Sequence, residues 1–161
     1  MKRLALLGVL ALLTSSVASF ERVRASEPGY RADKDEPRLC STETLEGVYG
    51  LSIGGTRPAP TFPPGTVEQL IGVGTRTFDG DGNFTQVTNE KGSLTGIMFP
   101  NRSLSGTYKV DPDCTGTLTL NIPGLPFSVV YDLVIVNGGR EFRSIVASPA
   151  AVMVTTDGKR Q

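Results

Sequence analysis

The stretch Ser103-Leu-Ser-Gly-Thr-Tyr-Lys-Val110, the link Asp111-Pro-Asp-Cys114, and the stretch Thr115-Gly-Thr-Leu-Thr-Leu-Asn-Ile122 together set the fold class. Leu104, Gly106, Tyr108 and Val110 alternate with Ser103, Ser105, Thr107 and Lys109. Beyond the turn, Leu118, Leu120 and Ile122 alternate with Thr117, Thr119 and Asn121. Successive side chains of a strand point to opposite faces, so a period of two marks half-buried β-structure. Asp-Pro-Asp between two such runs is hairpin chemistry. The pattern repeats outward in both directions. Leu45, Gly47, Tyr49, Leu51 and Ile53 alternate with Glu46, Val48, Gly50 and Ser52. Phe127, Val129, Tyr131, Leu133 and Ile135 share one face, and the opposite face is itself partly apolar through Val130, Val134 and Val136.

Weaker alternation marks Leu70–Phe78, Asn83–Asn89, Glu141–Ala147 and Val152–Thr155. Asp79-Gly-Asp-Gly82, Ile122-Pro-Gly124 and Asn137-Gly-Gly139 supply further turns. Leu94–Phe99 reads as a ninth strand or a flap. The predicted fold is all-β: an antiparallel up-and-down meander of about eight strands, closed into a barrel because closure removes unpaired edges. Gly47, Gly72, Gly74, Gly106 and Gly116 fit the bends of a small barrel. A β-sandwich satisfies the same periodicity.

The start of the chain reads as an address. Lys2 and Arg3 precede an apolar run, Leu4 to Leu13, and small residues follow at Ser15, Ser16, Ala18 and Ser19. That is the three-part pattern of a secretory signal peptide, too short to span a bilayer as a helix. Cleavage sites lie after Ala18 or Ser19, or after Ala25. The expected organisation is a signal peptide over 1–25, a disordered leader over 26–39 and one β-barrel domain over 40–161, with no membrane span. Of the sixteen basic and sixteen acidic side chains, cleavage after Ala25 removes Lys2, Arg3, Arg22, Arg24 and Glu21, leaving 12 and 15, a formal charge of −3. No basic excess exists to attract nucleic acid. Export predicts a periplasmic or extracellular location and makes the cysteines readable: Cys40 and Cys114 most simply form one disulfide in an oxidising compartment.

Three strings carry a resemblance. Gly106-Thr-Tyr-Lys-Val-Asp-Pro-Asp-Cys-Thr-Gly-Thr117, Thr77-Phe-Asp-Gly-Asp-Gly-Asn83 and Gly47-Val-Tyr-Gly50, with the tail Gly158-Lys-Arg-Gln161, resemble a group of small exported bacterial proteins without an established activity. The similarity runs from Cys40 to Gln161. It implies export and the cysteine pair, and it lends no catalytic residue. More loosely, the meander is similar in plan to lipocalin-like and avidin-like barrels, but the chain has no tryptophan, and their ligands do not transfer.

The residue types narrow the chemistry. Without histidine there is no His-based triad and no HExxH zinc site. No GxSxG elbow occurs, which disfavours an ordinary hydrolase. Asp79, Asp81 and Asn83 sit at positions 1, 3 and 5 of a calcium-loop pattern, but Phe84 stands where the sharp turn requires glycine, so the segment reads as a hairpin turn and no metal is expected. Asn83-Phe-Thr and Asn101-Arg-Ser match glycosylation acceptors, which are idle in a bacterial protein. Thr56–Gly65, rich in proline, is a stiff connection or a flap over one barrel mouth. Glu141 and Arg143 share a strand face opposite Phe142; outside they are a surface pair, inside a polar site.

Tyr49, Tyr108 and Tyr131 lie on the apolar faces of their strands. Either they are core tyrosines bonded to backbone carbonyls, or they are polar handles in an apolar lumen that binds a ligand. The functional expectation is a monomer that binds a small, mainly apolar ligand without catalysis or cofactor. A surface module with a filled core predicts Ile97, Met98 and Phe99 as an exposed patch. An isomerase or cyclase needs Glu141 or another carboxylate inside the barrel.

Overall fold

A computed structural model describes residues 39–59, 61–96 and 98–161. The signal-peptide reading, the leader over 26–38, Ile97 and the side chains of Met98 and Phe99 lie outside the described residues. A 3-10 turn at Thr42–Leu45 precedes eight strands: β1 (Gly47–Pro58), β2 (Val67–Phe78), β3 (Asn83–Gly92), β4 (Met98–Val110), β5 (Thr115–Asn121), β6 (Val129–Val136), β7 (Glu141–Ser148) and β8 (Met153–Arg160). Each strand pairs antiparallel with the next, and β8 returns to β1 from Tyr49↔Arg160 to Thr56↔Met153. The result is a closed eight-stranded up-and-down barrel. Leu94 lies in the β3–β4 connection and Met98 opens β4, so the 94–99 stretch adds no separate strand.

Two strands run longer than their apolar pattern suggests. β1 continues to Pro58 and β2 begins at Val67 because their last inward positions at that end are Gly55, Arg57 and Glu68, which give no hydrophobic signal. The β1–β2 connection is closed by backbone hydrogen bonds: the Ala59 N–H donates to Thr66 O at 2.9 Å and the Thr66 N–H to Pro63 O at 3.1 Å.

One end of the barrel is packed solid. Tyr49 meets Phe78 edge-on with ring centroids 5.4 Å apart, Phe78 meets Tyr108 at 4.8 Å, and Phe142 lies 5.5 Å from Tyr49. Such edge-to-face contacts suit the aromatic quadrupole. Glycines opposite make the room: Phe84 pairs across the sheet with Gly106 and Phe142 with Gly158, and a Cβ at either glycine would run into the facing ring. The turn at Thr42–Leu45 caps this end with Leu45 wholly buried.

The disulfide holds that cap. Cys40 and Cys114 are bonded with Cα atoms 5.0 Å apart and a sequence separation of 74, joining the segment before the cap to the β4–β5 turn. The Cys40 N–H donates to Pro112 O at 3.2 Å beside the bridge. In the chain-entropy account a closed loop of this length contributes about 4 kcal/mol. The double variant Cys40→Ser, Cys114→Ser is expected to lose about that much unfolding free energy in urea titrations. The native chain, denatured without reductant, should not react with iodoacetamide.

Candidate ligand-binding cavity

The other end of the barrel is open. The connections β1–β2, β3–β4, β5–β6 and β7–β8 all lie there, around a cavity of about 520 Å³. Ile53, Leu70, Leu120, Val129 and Val154 form apolar walls. Ile122, Leu125, Phe127 and Val152 form an apolar rim, of which Leu125 and Phe127 stand roughly half exposed. An eight-stranded barrel is just wide enough to be filled by side chains or to hold one small molecule, and this one does the first at one end and leaves the second open at the other.

Polar groups reach the cavity from neighbouring strands. β2 and β3 turn Glu68, Arg76, Gln86, Thr88 and Glu90 inward, all buried, while Ile71, Val73 and Val87 face out and are exposed. Around these positions this inverts the usual amphipathy of a strand, although Leu70, Phe78 and Phe84 on the same strands also face in. A bulge in the β3–β4 pairing, where Thr88 faces Arg102 and Glu90 faces Phe99, brings Glu90 and Arg102 to the same cavity. Asn101 takes a left-handed φ of 51° there, and its N–H donates to Asn89 Oδ1 at 3.1 Å.

Charged partners organise the mouth. Arg57 Nε donates to Glu68 Oε1 at 2.9 Å. Glu68 Oε2 accepts from the Thr95 N–H at 3.1 Å and the Thr95 hydroxyl at 2.9 Å, tying down the β3–β4 connection. Burial works to raise the Glu68 pKa, but these hydrogen bonds and the Arg57 charge outweigh it and hold the carboxyl below its ordinary value of 4.5. Glu90 Oε2 lies 3.7 Å from Arg102 Nη1 and 3.9 Å from Arg57 Nη1, and its Oε1 accepts from the Thr88 hydroxyl at 3.0 Å.

Arg76 marks the floor, where the cavity meets the aromatic cluster. Its guanidinium carbon lies 4.8 Å from the Phe84 ring centroid and 5.5 Å from that of Phe142, and its Nε donates to Gln86 Oε1 at 2.9 Å. Burial lowers its pKa to about 10, so the group stays charged at neutral pH. Tyr131 lines the same cavity; burial raises its pKa, partly offset by the charge of Arg76, and the phenol keeps its proton.

Of the tyrosines on the apolar faces, the structure brings only Tyr131 to the cavity. Tyr49 and Tyr108 belong to the packed end. The Tyr49 hydroxyl donates to Gly139 O and accepts from Arg160 Nη2 at 2.9 Å. That of Tyr108 donates to Thr42 O at 3.0 Å and accepts from the Gly80 N–H at 3.1 Å. Glu141 and Arg143 face outward, with Arg143 Nη1 3.1 Å from Asp157 Oδ2, so Glu141 supplies no carboxylate to the lumen. Asp79 closes a turn: its Oδ1 accepts from the N–H groups of Asp81 at 2.8 Å and Asn83 at 2.9 Å. Among the described residues no group of three or more His, Cys, Asp or Glu side chains is placed to hold a metal ion, and no helix is long and apolar enough to cross a membrane.

No protein-family model matches the chain, and no curated protein matches its sequence. Among solved structures the chain is similar to a redesigned β-barrel at 16% identity and a TM-score of 0.45, over 74% of this chain and 94% of that one.

Sequence reasoning missed Arg57, Glu68, Arg76, Gln86, Glu90 and Arg102. The signal was present as exposed-type residues at the wrong phase: Val67, Ile71 and Val73 alternate with Glu68, Gly72, Gly74 and Arg76.

Two outcomes follow from these contacts. Tyr49→Phe leaves a buried carbonyl without its donor and is expected to cost about 1–2 kcal/mol, read from the urea midpoint. Glu68 contributes stability that is fully present above pH 4.5 and is lost as pH falls through its lower folded value. Acid titration below pH 4.5 should therefore destabilise the native chain more steeply than Glu68→Gln, which at neutral pH is less stable by about 3 kcal/mol.

Proposed function

We propose that this chain is an exported monomer that binds a small, mainly apolar ligand in its barrel lumen, without catalysis. One observation carries the reading: a cavity of about 520 Å³ with apolar walls and rim and a few polar groups near its floor. That volume and that make-up are typical of small-molecule sites. Export draws support from the Cys40–Cys114 disulfide, since such bonds persist in oxidising compartments. It accords with the resemblance of the 40–161 segment to small exported bacterial proteins. Binding is favoured over proton transfer because both inward carboxylates, Glu68 and Glu90, are engaged by guanidinium groups.

Native mass spectrometry of the protein isolated from its own source is expected to show an added mass that disappears on denaturation. The neutral fluorophore N-phenyl-1-naphthylamine should bind saturably. Val154→Trp, which fills the cavity from its wall, should abolish that binding while the chain remains folded by far-UV circular dichroism. A fluorophore that binds the filled variant as well as the native chain would overturn the lumen as the site.

A further inference from the structure

Among the described residues, guanidinium groups outnumber carboxylates at the cavity. Three guanidinium groups line the cavity, those of Arg57, Arg76 and Arg102. Two carboxylates face inward with them, Glu68 and Glu90. The ion pairs join Arg57 to both carboxylates and Arg102 to Glu90, at 2.9 to 3.9 Å. Arg76 shares in none of them. It is 99% buried and spends Nε and Nη2 on one neutral acceptor, Gln86 Oε1. Its Nη1 is buried with no hydrogen-bond partner among the described residues.

An unpaired buried cation is costly, and the aromatic faces of Phe84 and Phe142 offset only part of that cost. A buried guanidinium with an open donor is the arrangement that receives an anionic group, because charge-assisted bonds to carboxylate are the strong ones. Around Arg76 the cavity wall is mainly apolar, through Leu120, Val129 and Val154, and the charged groups Arg57, Glu90 and Arg102 that also line it are already ion-paired. A molecule reaching Arg76 must therefore carry its charge at one end and an apolar body behind it.

We infer that the ligand is an amphipathic monoanion, an apolar body ending in one carboxylate, whose head is received by Arg76 Nη1 at the cavity floor while its body lies against the apolar walls and rim. This inference rests on the lumen being the binding site and adds the chemical class of what binds. One guanidinium, that of Arg76, stands outside these ion pairs, which matches a head of single negative charge. Tyr131 lies on the same cavity wall as a protonated phenol and is a second donor for the head.

The test compares dodecanoate, dodecanol and dodecylamine, which share one chain and differ in the head, by displacement of N-phenyl-1-naphthylamine at neutral pH. On the native chain dodecanoate is expected to bind about tenfold or more tightly than dodecanol, and dodecylamine most weakly. In Arg76→Met the advantage of dodecanoate over dodecanol should vanish, with dodecanol binding within about twofold of its native value. Retention of dodecanol binding also shows that the variant is folded. If Arg76→Met does not fold, the native chain decides by ¹³C NMR of carboxyl-labelled dodecanoate: a head on a guanidinium titrates below its free value, and an unshifted titration overturns the assignment. Equal affinity for acid and alcohol on the native chain overturns the anionic ligand and leaves the lumen reading intact. Failure of all three, with no displacement of the fluorophore, overturns the lumen reading itself.

Discussion

β1 and β8 pair from Tyr49↔Arg160 to Thr56↔Met153, and that last ladder turns a meander into a barrel with an inside. Once the sheet is closed, every strand must place alternate residues in one shared interior, and there is no second sheet to absorb a misfit. The two ends of that interior solve the problem differently. At one end Tyr49, Phe78, Phe84, Tyr108 and Phe142 fill the bore, with glycines opposite two of the rings and a capping turn drawn in by the disulfide. At the other the bore stays open.

The open end depends on β2 and β3. Beside Leu70, their inward residues near the cavity are polar or charged, Glu68, Arg76, Gln86, Thr88 and Glu90, while Ile71, Val73 and Val87 face out. A closed core would not tolerate that inversion, since buried charges need partners. Here the partners come from the adjacent strands: Arg57 on β1 directly opposite Glu68, and Arg102 on β4 for Glu90 through the bulge at Asn101. Arg76 sits between the two solutions. Its guanidinium lies over the Phe84 ring of the aromatic plug and the residue also lines the cavity, so the same residue ends the packed core and borders the open space.

Legibility in the sequence follows this division. β4, β5 and β6 read clearly because their inward positions are Leu, Tyr, Val and Ile, as in Leu104, Leu118 and Leu133. β2 and β3 read weakly because their inward positions include Glu68, Arg76, Gln86 and Glu90 among Leu70, Phe78 and Phe84, and a periodicity argument assigns such polar residues to solvent. The tyrosines divided in the same way. Their facing was legible, but Tyr49 and Tyr108 lie at the plugged end and Tyr131 at the open one, and strand position along the barrel axis is not written in a period of two.

By itself the sequence determined the all-β class, the antiparallel order of the strands, the inward faces of the apolar strands and the availability of two cysteines for one bond. Those properties are local: alternation and turn chemistry act within a strand or a hairpin. Only the tertiary structure decided that the sheet closes, which end is filled, and that Arg57, Glu68, Arg76, Glu90 and Arg102 share the lumen with Arg76 outside the ion pairs. Those depend on pairs far apart in the chain, Glu90 with Arg57 or Gly158 with Leu51, and on whether an outward-looking charge meets water or a partner across the bore.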